Sequence, residues 1–207
     1  MTSIVERASS LAKKWHGDQQ IKSIGNEHNY YKEHLAQVRD LLKKIGFSEI
    51  TQAVGVLHDV LEDTKIGVWK LRREMGNDVT EKVKKVTESK KLKRREMTKE
   101  EIKHLIRTRY FQNIITDYDA LAVSLADQIN NSERCLRQPP TVEKYQTSEW
   151  MATQIRKYKR EIDLCKNFSF VQKDNKLKIL YGLLGRNVTE LIKKYGAGIT
   201  SQQLKAA

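Results

Sequence analysis

At 207 residues the chain is long enough for one domain with a substantial core. Its 39 Lys and Arg against 26 Asp and Glu give a formal charge of +13, which calls for an anionic partner without choosing between nucleic acid and a phosphorylated small molecule. No apolar run reaches membrane-spanning length, and MTSIVERASSLAKKWHG carries charges where a secretory signal has its apolar stretch. Cys135 and Cys165 form neither a metal spacing nor a disulfide framework, which fits a reducing compartment. With only Pro139 and Pro140 as helix breakers and apolar residues recurring every three to four positions, an all-α, soluble, cytoplasmic protein is expected, residues 1–207 forming a single domain.

The spacing predicts a first helix over about residues 2–17, then a polar loop, DQQIKSIGNEHN, turning around Gly25. YYKEHLAQVRDLLKKIG follows as a helix with Leu35, Val38, Leu41, Leu42 and Ile45 in one stripe, His34 at its edge and Gly46 as its stop. Ser48 is expected to cap one helix running to Asp63, and another helix covers residues 68–76. Residues 81–109 hold much of the basic excess, but acids are interspersed and the apolar residues keep helical spacing, so a solvated helical face is favoured over a nucleic-acid stripe. Thr98 and Glu101 make a capping box. The most apolar helix is Asp119 to Arg134, with Asp127 and Asn131 one turn apart on one face. After the two prolines a long polar helix is expected near 141–166, and residues 167–207 read as a weaker, mostly helical tail.

VGVLHDVLEDT, residues 54–64, sets four reactive groups in an apolar frame. On a helix with His58 at zero, Glu62 lies near ~40°, Asp59 near ~100° and Asp63 near ~140°, so all four share a face while Val54, Val56, Leu57, Val60 and Leu61 take the remainder. Gly55 falls within the polar arc and leaves a side-chain-free gap there. The 20 residues from Ile45 to Thr64 contain no Lys or Arg where composition would supply about four, and Tyr110 to Glu133 is a second such gap. Burial accounts for part of this, but acids without basic neighbours call for another cation, and a divalent metal would serve.

His34, His58, Asp59 and Asp127 thus stand out as inward-facing candidates on three helices, and two imidazoles with two carboxylates suit Mn, Fe, Co, Ni or Zn. Singly, His34 reads as a hydrogen-bonded core histidine and Asp127 as a helix-pairing acid. Together, in this order, they resemble the HD superfamily of metal-dependent phosphohydrolases. LHDVLEDT followed by LAVSLADQINN is similar to the hydrolase domain of RelA/SpoT alarmone enzymes and to the stand-alone small alarmone hydrolases. WHGDQQIK, VTESKKL and EKYQTSEWMATQI extend the resemblance over about residues 5–165 and leave the tail outside it.

The resemblance implies a helical HD fold, a divalent metal, usually Mn²⁺, and removal of the 3′-pyrophosphate from guanosine tetra- or pentaphosphate. It implies His34, His58, Asp59 and Asp127 as metal ligands, Glu62 and Asp63 as the acidic pair serving the attacking water, and Asn131 and Lys22 as substrate contacts at the ribose and the diphosphate. Ile21 stands where the family has an Arg able to stack on the base, Ser124 stands for a Lys, and Gln128-Ile129-Asn130 for Arg-Leu-His. Those departures touch base recognition and leave the metal and water residues complete. Two other readings remain open: an HD phosphohydrolase acting on a (deoxy)nucleoside triphosphate or a pyrophosphorylated RNA 3′ end, and a regulatory binding module with a vestigial site. A phosphorylated nucleotide is the expected partner, nucleic acid is less favoured, no membrane is involved, and oligomeric state is left open.

Overall fold

The structure, a computed structural model, describes residues 2–24, 28–88, 98–200 and 203, leaving aside the side chains at 99, 100, 103 and 104. Gly25 and residues 89–97, within the basic segment 81–109, lie outside the described residues. The helices are α1 (Ile4–His16), α2 (Ala36–Ile45), α3 (Glu49–Leu57), α4 (Val60–Asp63), α5 (Val68–Met75) and α6 (Asn77–Val86). They continue as α7 (Lys99–Ile115), α8 (Tyr118–Arg137), α9 (Ser148–Lys166), α10 (Ser169–Lys173) and α11 (Asn175–Tyr195). Among the described residues the only extended pairing is one isolated bridge between Gln20 and Asn29, so the chain is all-α as its periodicity predicts. No described helix is long and apolar enough to cross a membrane.

The chain divides into two compact units. The first comprises residues 1–17 and 38–124. There Ser3 and Glu6 form a capping box that starts α1. Ala8 and Ala12, both fully buried, let α1 approach α3 closely. α3 is buried along nearly its whole length, and α6 packs against α3, α5 and α7. Thr98 and Glu101 form the capping box of α7. Where α8 begins, Asp117 accepts from the Ala120 backbone N–H and pairs with Lys85 at 2.9 Å, while Lys82 bridges Asp117 and Asp119 at 3.5 and 2.9 Å. Part of the basic excess is therefore spent inside this unit.

The second unit comprises residues 18–37 and 125–207. It contains a correction to the expected weak tail: α11 is 21 residues long and buries Leu177, Leu180, Leu184, Val188 and Leu191 as a helical stripe against α9 and α10. At some 25 cal/mol per Å² of apolar surface removed from water, each such leucine stabilises by about 2 kcal/mol. The expected helix near 141–166 begins only at Ser148, capped by Thr147. A 3₁₀ turn at Glu143–Tyr145 precedes it, and the Gln146 side chain donates to the Pro140 and Thr141 carbonyls, both at 3.1 Å.

Two further corrections bear on the site. The expected helix over residues 30–46 opens as a π turn, Tyr31–Leu35, which carries His34, before becoming α2. The expected single helix from Ser48 to Asp63 is two: Ser48 does cap α3, accepting from Thr51 N–H, but the helix stops at Leu57 and resumes at Val60. His58 and Asp59 occupy the break, with Asp59 at φ −95° and ψ −2°, in the bridge region.

Candidate metal centre

Within the first unit, His58 is 4% exposed and its Nδ1 donates to the Gly55 carbonyl at 2.8 Å. A carbonyl can only accept, so Nδ1 bears a proton, and it is the other nitrogen, Nε2, that is left to hold a proton or offer a lone pair. That Nε2 lies 3.1 Å from Asp59 Oδ2. The backbone amides of Glu62 and Asp63 both return to the Asp59 carbonyl, at 3.1 and 2.9 Å, which ties the acidic pair to the His-Asp break. Glu62 is half-buried and its Oε2 accepts the Glu88 N–H at 3.3 Å, whereas Asp63 is exposed. The face predicted as one polar arc is thereby bent. Gly55 corrects it further: a Cβ there would sit 2.5 Å from Leu42 Cδ1, so the gap is filled by the core rather than open to a ligand.

Within the second unit the same arrangement recurs from different parts. His34, 2% exposed, directs Nδ1 at Asn130 Oδ1, 2.7 Å away, and places Nε2 3.3 Å from Asp127 Oδ1. Asn130 Nδ2 donates to Gln37 Oε1 at 2.8 Å and Arg134 Nη1 approaches Oδ1 at 3.4 Å, so Oδ1 is the acceptor and His34 Nδ1 the donor. Asp127 takes two amide donors, Gln128 Nε2 on Oδ2 at 2.7 Å and Asn131 Nδ2 on Oδ1 at 2.6 Å.

Each pair brings two acceptors, an imidazole lone pair and a carboxylate oxygen, within about the distance of a hydrogen bond. That is repulsive unless a positive charge sits between them, a proton or a metal ion. Imidazoles fixed through Nδ1 with a carboxylate oxygen beside Nε2 are groups that ligate divalent cations. The residues therefore fit a metal of that class.

Asn131 lies beside Asp127 as the sequence indicates, and Lys22 is exposed on the turn before Ser23. Ile21, at the position of the expected stacking Arg, is only 3% exposed and belongs to the core of its unit, while its backbone N–H binds the His28 carbonyl. Ser124 is buried and bonded to the Tyr110 hydroxyl at 2.9 Å, in the first unit's core. Sequence reasoning missed Asn130 and Gln128 as supports of the second pair; the signal was there, three amides at 128, 130 and 131 around a helix otherwise apolar on that side. Both cysteines are buried, and burial pushes their thiols up, Cys165 to about 12, so they stay protonated and take no part.

The profile of the HD domain family matches residues 8–153. The chain is 34% identical over 128 residues to a GTP pyrophosphokinase of Streptomyces coelicolor, covering 61% of this chain and 14% of that protein. It is 28% identical over 135 residues to a probable guanosine-3′,5′-bis(diphosphate) 3′-pyrophosphohydrolase of Mycoplasma pneumoniae, covering 63% and 18%. A protein of the same description from Synechocystis is 30% identical over 128 residues, covering 62% and 16%. The chain thus spans less than a fifth of the length of these relatives. A solved metazoan ortholog of SpoT, described as hydrolysing ppGpp and taking a role in starvation responses, superposes with a TM-score of 0.63 at 20% identity. That likeness covers 95% of this chain and 97% of the other, so the shared fold takes in most of the segment after residue 166. On its matched family profile, its helical fold and its His-Asp pair at the break between α3 and α4, the chain belongs to the HD domain family.

Proposed function

We propose that this chain is a Mn²⁺-dependent pyrophosphohydrolase that removes the 3′-pyrophosphate from a guanosine alarmone or a closely related nucleotide, working as one catalytic domain in the cytoplasm. In this reading His34, His58, Asp59 and Asp127 hold one divalent cation. The observation that carries it is the repeated geometry of the two histidines, each with Nδ1 committed to an acceptor and Nε2 facing a carboxylate. Bound there, the cation would acidify water and polarise a phosphoryl oxygen.

The chain's own residues supply the rest. Glu62 and Asp63 orient the attacking water and accept its proton, Glu62 being steadied by the Glu88 amide. Water adds to the phosphorus on the ribose 3′ oxygen, the O3′–P bond breaks, and a proton passes to O3′, releasing pyrophosphate and a nucleoside 5′-phosphate species. Asn131 contacts the ribose while donating to Asp127, and Lys22 brings charge to the diphosphate. The excess of 13 positive charges draws in such a polyanion. With Ile21 in the core, no side chain at that position stacks on the base, so guanine and adenine should be poorly distinguished.

The test is to incubate Mn²⁺-loaded protein with guanosine and adenosine 3′-pyrophosphates and separate the products by ion exchange. Pyrophosphate without orthophosphate is expected from both. Orthophosphate or triphosphate from ordinary nucleoside triphosphates, with the 3′-pyrophosphates untouched, would overturn the reading.

A further inference from the structure

Within the second unit, a recess of about 120 Å³ lies beside Asn131, lined by residues of α8 and α9, by Gln138 and Pro140 of the segment between them, and by Ser23. Its wall is fixed by two backbone bonds, Thr141 N–H and Val142 N–H both donating to the Ser23 carbonyl at 3.1 and 3.4 Å. Two half-buried cations line it, Arg134 and Lys157. Among the described residues neither has a carboxylate within 4 Å, in contrast to Arg39, Arg156 and Lys82, which are paired with Asp40, Glu149 and Asp119. Arg134 instead donates to two neutral amides, Asn131 Oδ1 and, at 3.4 Å, Asn130 Oδ1, which position the guanidinium without neutralising it. Trp150 and Gln154 also line the recess. Positive charge held uncompensated in a concave, partly buried place is what an oxyanion requires.

Size selects the group. About 120 Å³ is the room of roughly four waters, enough for one phosphoryl group and too little for a purine with its ribose. Position selects which phosphoryl group. Arg134 is seven residues past Asp127 on one helix, about 10 Å along its axis, with Asn131 between them. A nucleotide reacting at its 3′ end near Asp127, with its ribose at Asn131, extends its 5′ end toward Arg134.

We infer that this recess binds the 5′-phosphate of the nucleotide substrate, Arg134 gripping two oxygens with its planar fork and Lys157 adding a point charge. Selectivity then rests on the 5′-phosphate rather than on the base. The choice of the 5′ end rests on the pyrophosphohydrolase reading above; the anion-binding recess itself does not.

The test compares adenosine 3′-pyrophosphates with a 5′-hydroxyl and with a 5′-phosphate on the Mn²⁺-loaded full chain. The parent should favour the 5′-phosphorylated compound by about tenfold or more in kcat/KM, and Arg134→Gln or Lys157→Gln should each cut that ratio to within about threefold of unity, as expected when a charge-assisted contact is lost. Arg134→Lys, which keeps the charge without the fork, should fall between. In parallel, calorimetry with adenosine 5′-monophosphate against adenosine reads the recess without turnover, and melting curves check that each variant folds; should Arg134→Gln fail to fold, Lys157→Gln on the half-buried face of α9 carries the test. Loss of 5′-monophosphate binding in the variants with no 3′-pyrophosphate cleaved by the parent would keep the recess and remove the hydrolase reading. An undiminished 5′-phosphate preference in both variants, or none in the parent by either measurement, would overturn the recess.

Discussion

The two units hold their His-carboxylate pairs by opposite means. In the first, His58 and Asp59 are neighbours in sequence and the ring is oriented by a main-chain carbonyl, that of Gly55. In the second, the ring of His34 is oriented by Asn130, 96 residues away, which is held in turn by Gln37. The backbone-held pair is robust to substitution at its support and sensitive only to the shape of the helix. The side-chain-held pair can be loosened one amide at a time.

Removing the imidazoles erases the distinction and should have the largest effect. Under the proposed function, His34→Ala and His58→Ala should each lose tight Mn²⁺ binding and bring turnover below detection, as read by elemental analysis and product chromatography. A chelator should do the same to the parent, reversibly. Glu62→Gln should retain Mn²⁺ while turnover falls by about 10² to 10⁴, the usual contribution of a general base.

Next come the supports, where the two units should differ. Asn130→Leu removes the acceptor of His34 Nδ1 and should weaken Mn²⁺ about 10- to 100-fold, the typical cost of losing a partner behind a metal-binding histidine. No side-chain change can delete the Gly55 carbonyl. Gly55→Ala instead tests the helix: its new methyl would meet Leu42 Cδ1 at 2.5 Å, and Leu42 is fully buried, so denaturant unfolding should show a loss of about 1 to 3 kcal/mol. A large Mn²⁺ defect in Gly55→Ala with unchanged stability would break the comparison.

The smallest effect lies away from both pairs. Burial raises the Asp117 carboxyl, but the Ala120 amide, Lys85 and Lys82 outweigh it and hold the group below its ordinary value of 3.8. A depressed folded-state value stabilises the protein above 3.8 and loses that contribution as pH falls through the depressed value. Asp117→Ala should therefore cost about 1 kcal/mol at neutral pH, the usual worth of a helix cap, and the gap from the parent should close in acid.

This contrast also explains what could be read in advance. The His58-Asp59 pair and its acidic followers lie within six residues, so one local pattern exposes them. His34 and Asp127 stood out only as single inward-facing candidates until the resemblance joined them, and the service of Asn130 to His34 was missed because the amides at 128, 130 and 131 carry no local mark of a partner 96 residues away. Helical periodicity captured the α-helical class, yet it carried one helix straight through His58 and Asp59. Their residue types permit helix, and the break is set by the bond from His58 to Gly55 and by packing. α11 was undervalued for the reverse reason. Gly182 and Gly185 lower its propensity by about 1 kcal/mol each, and burial of its leucine stripe overrides them.

Counting Mn²⁺ per chain tests the central claim most directly, by metal titration and elemental analysis of the parent, His34→Ala and His58→Ala. One ion in the parent and none in either variant is the predicted result, because under the proposed function both pairs serve a single cation. Two ions in the parent with one kept by each variant would contradict the account, making the pairs independent sites.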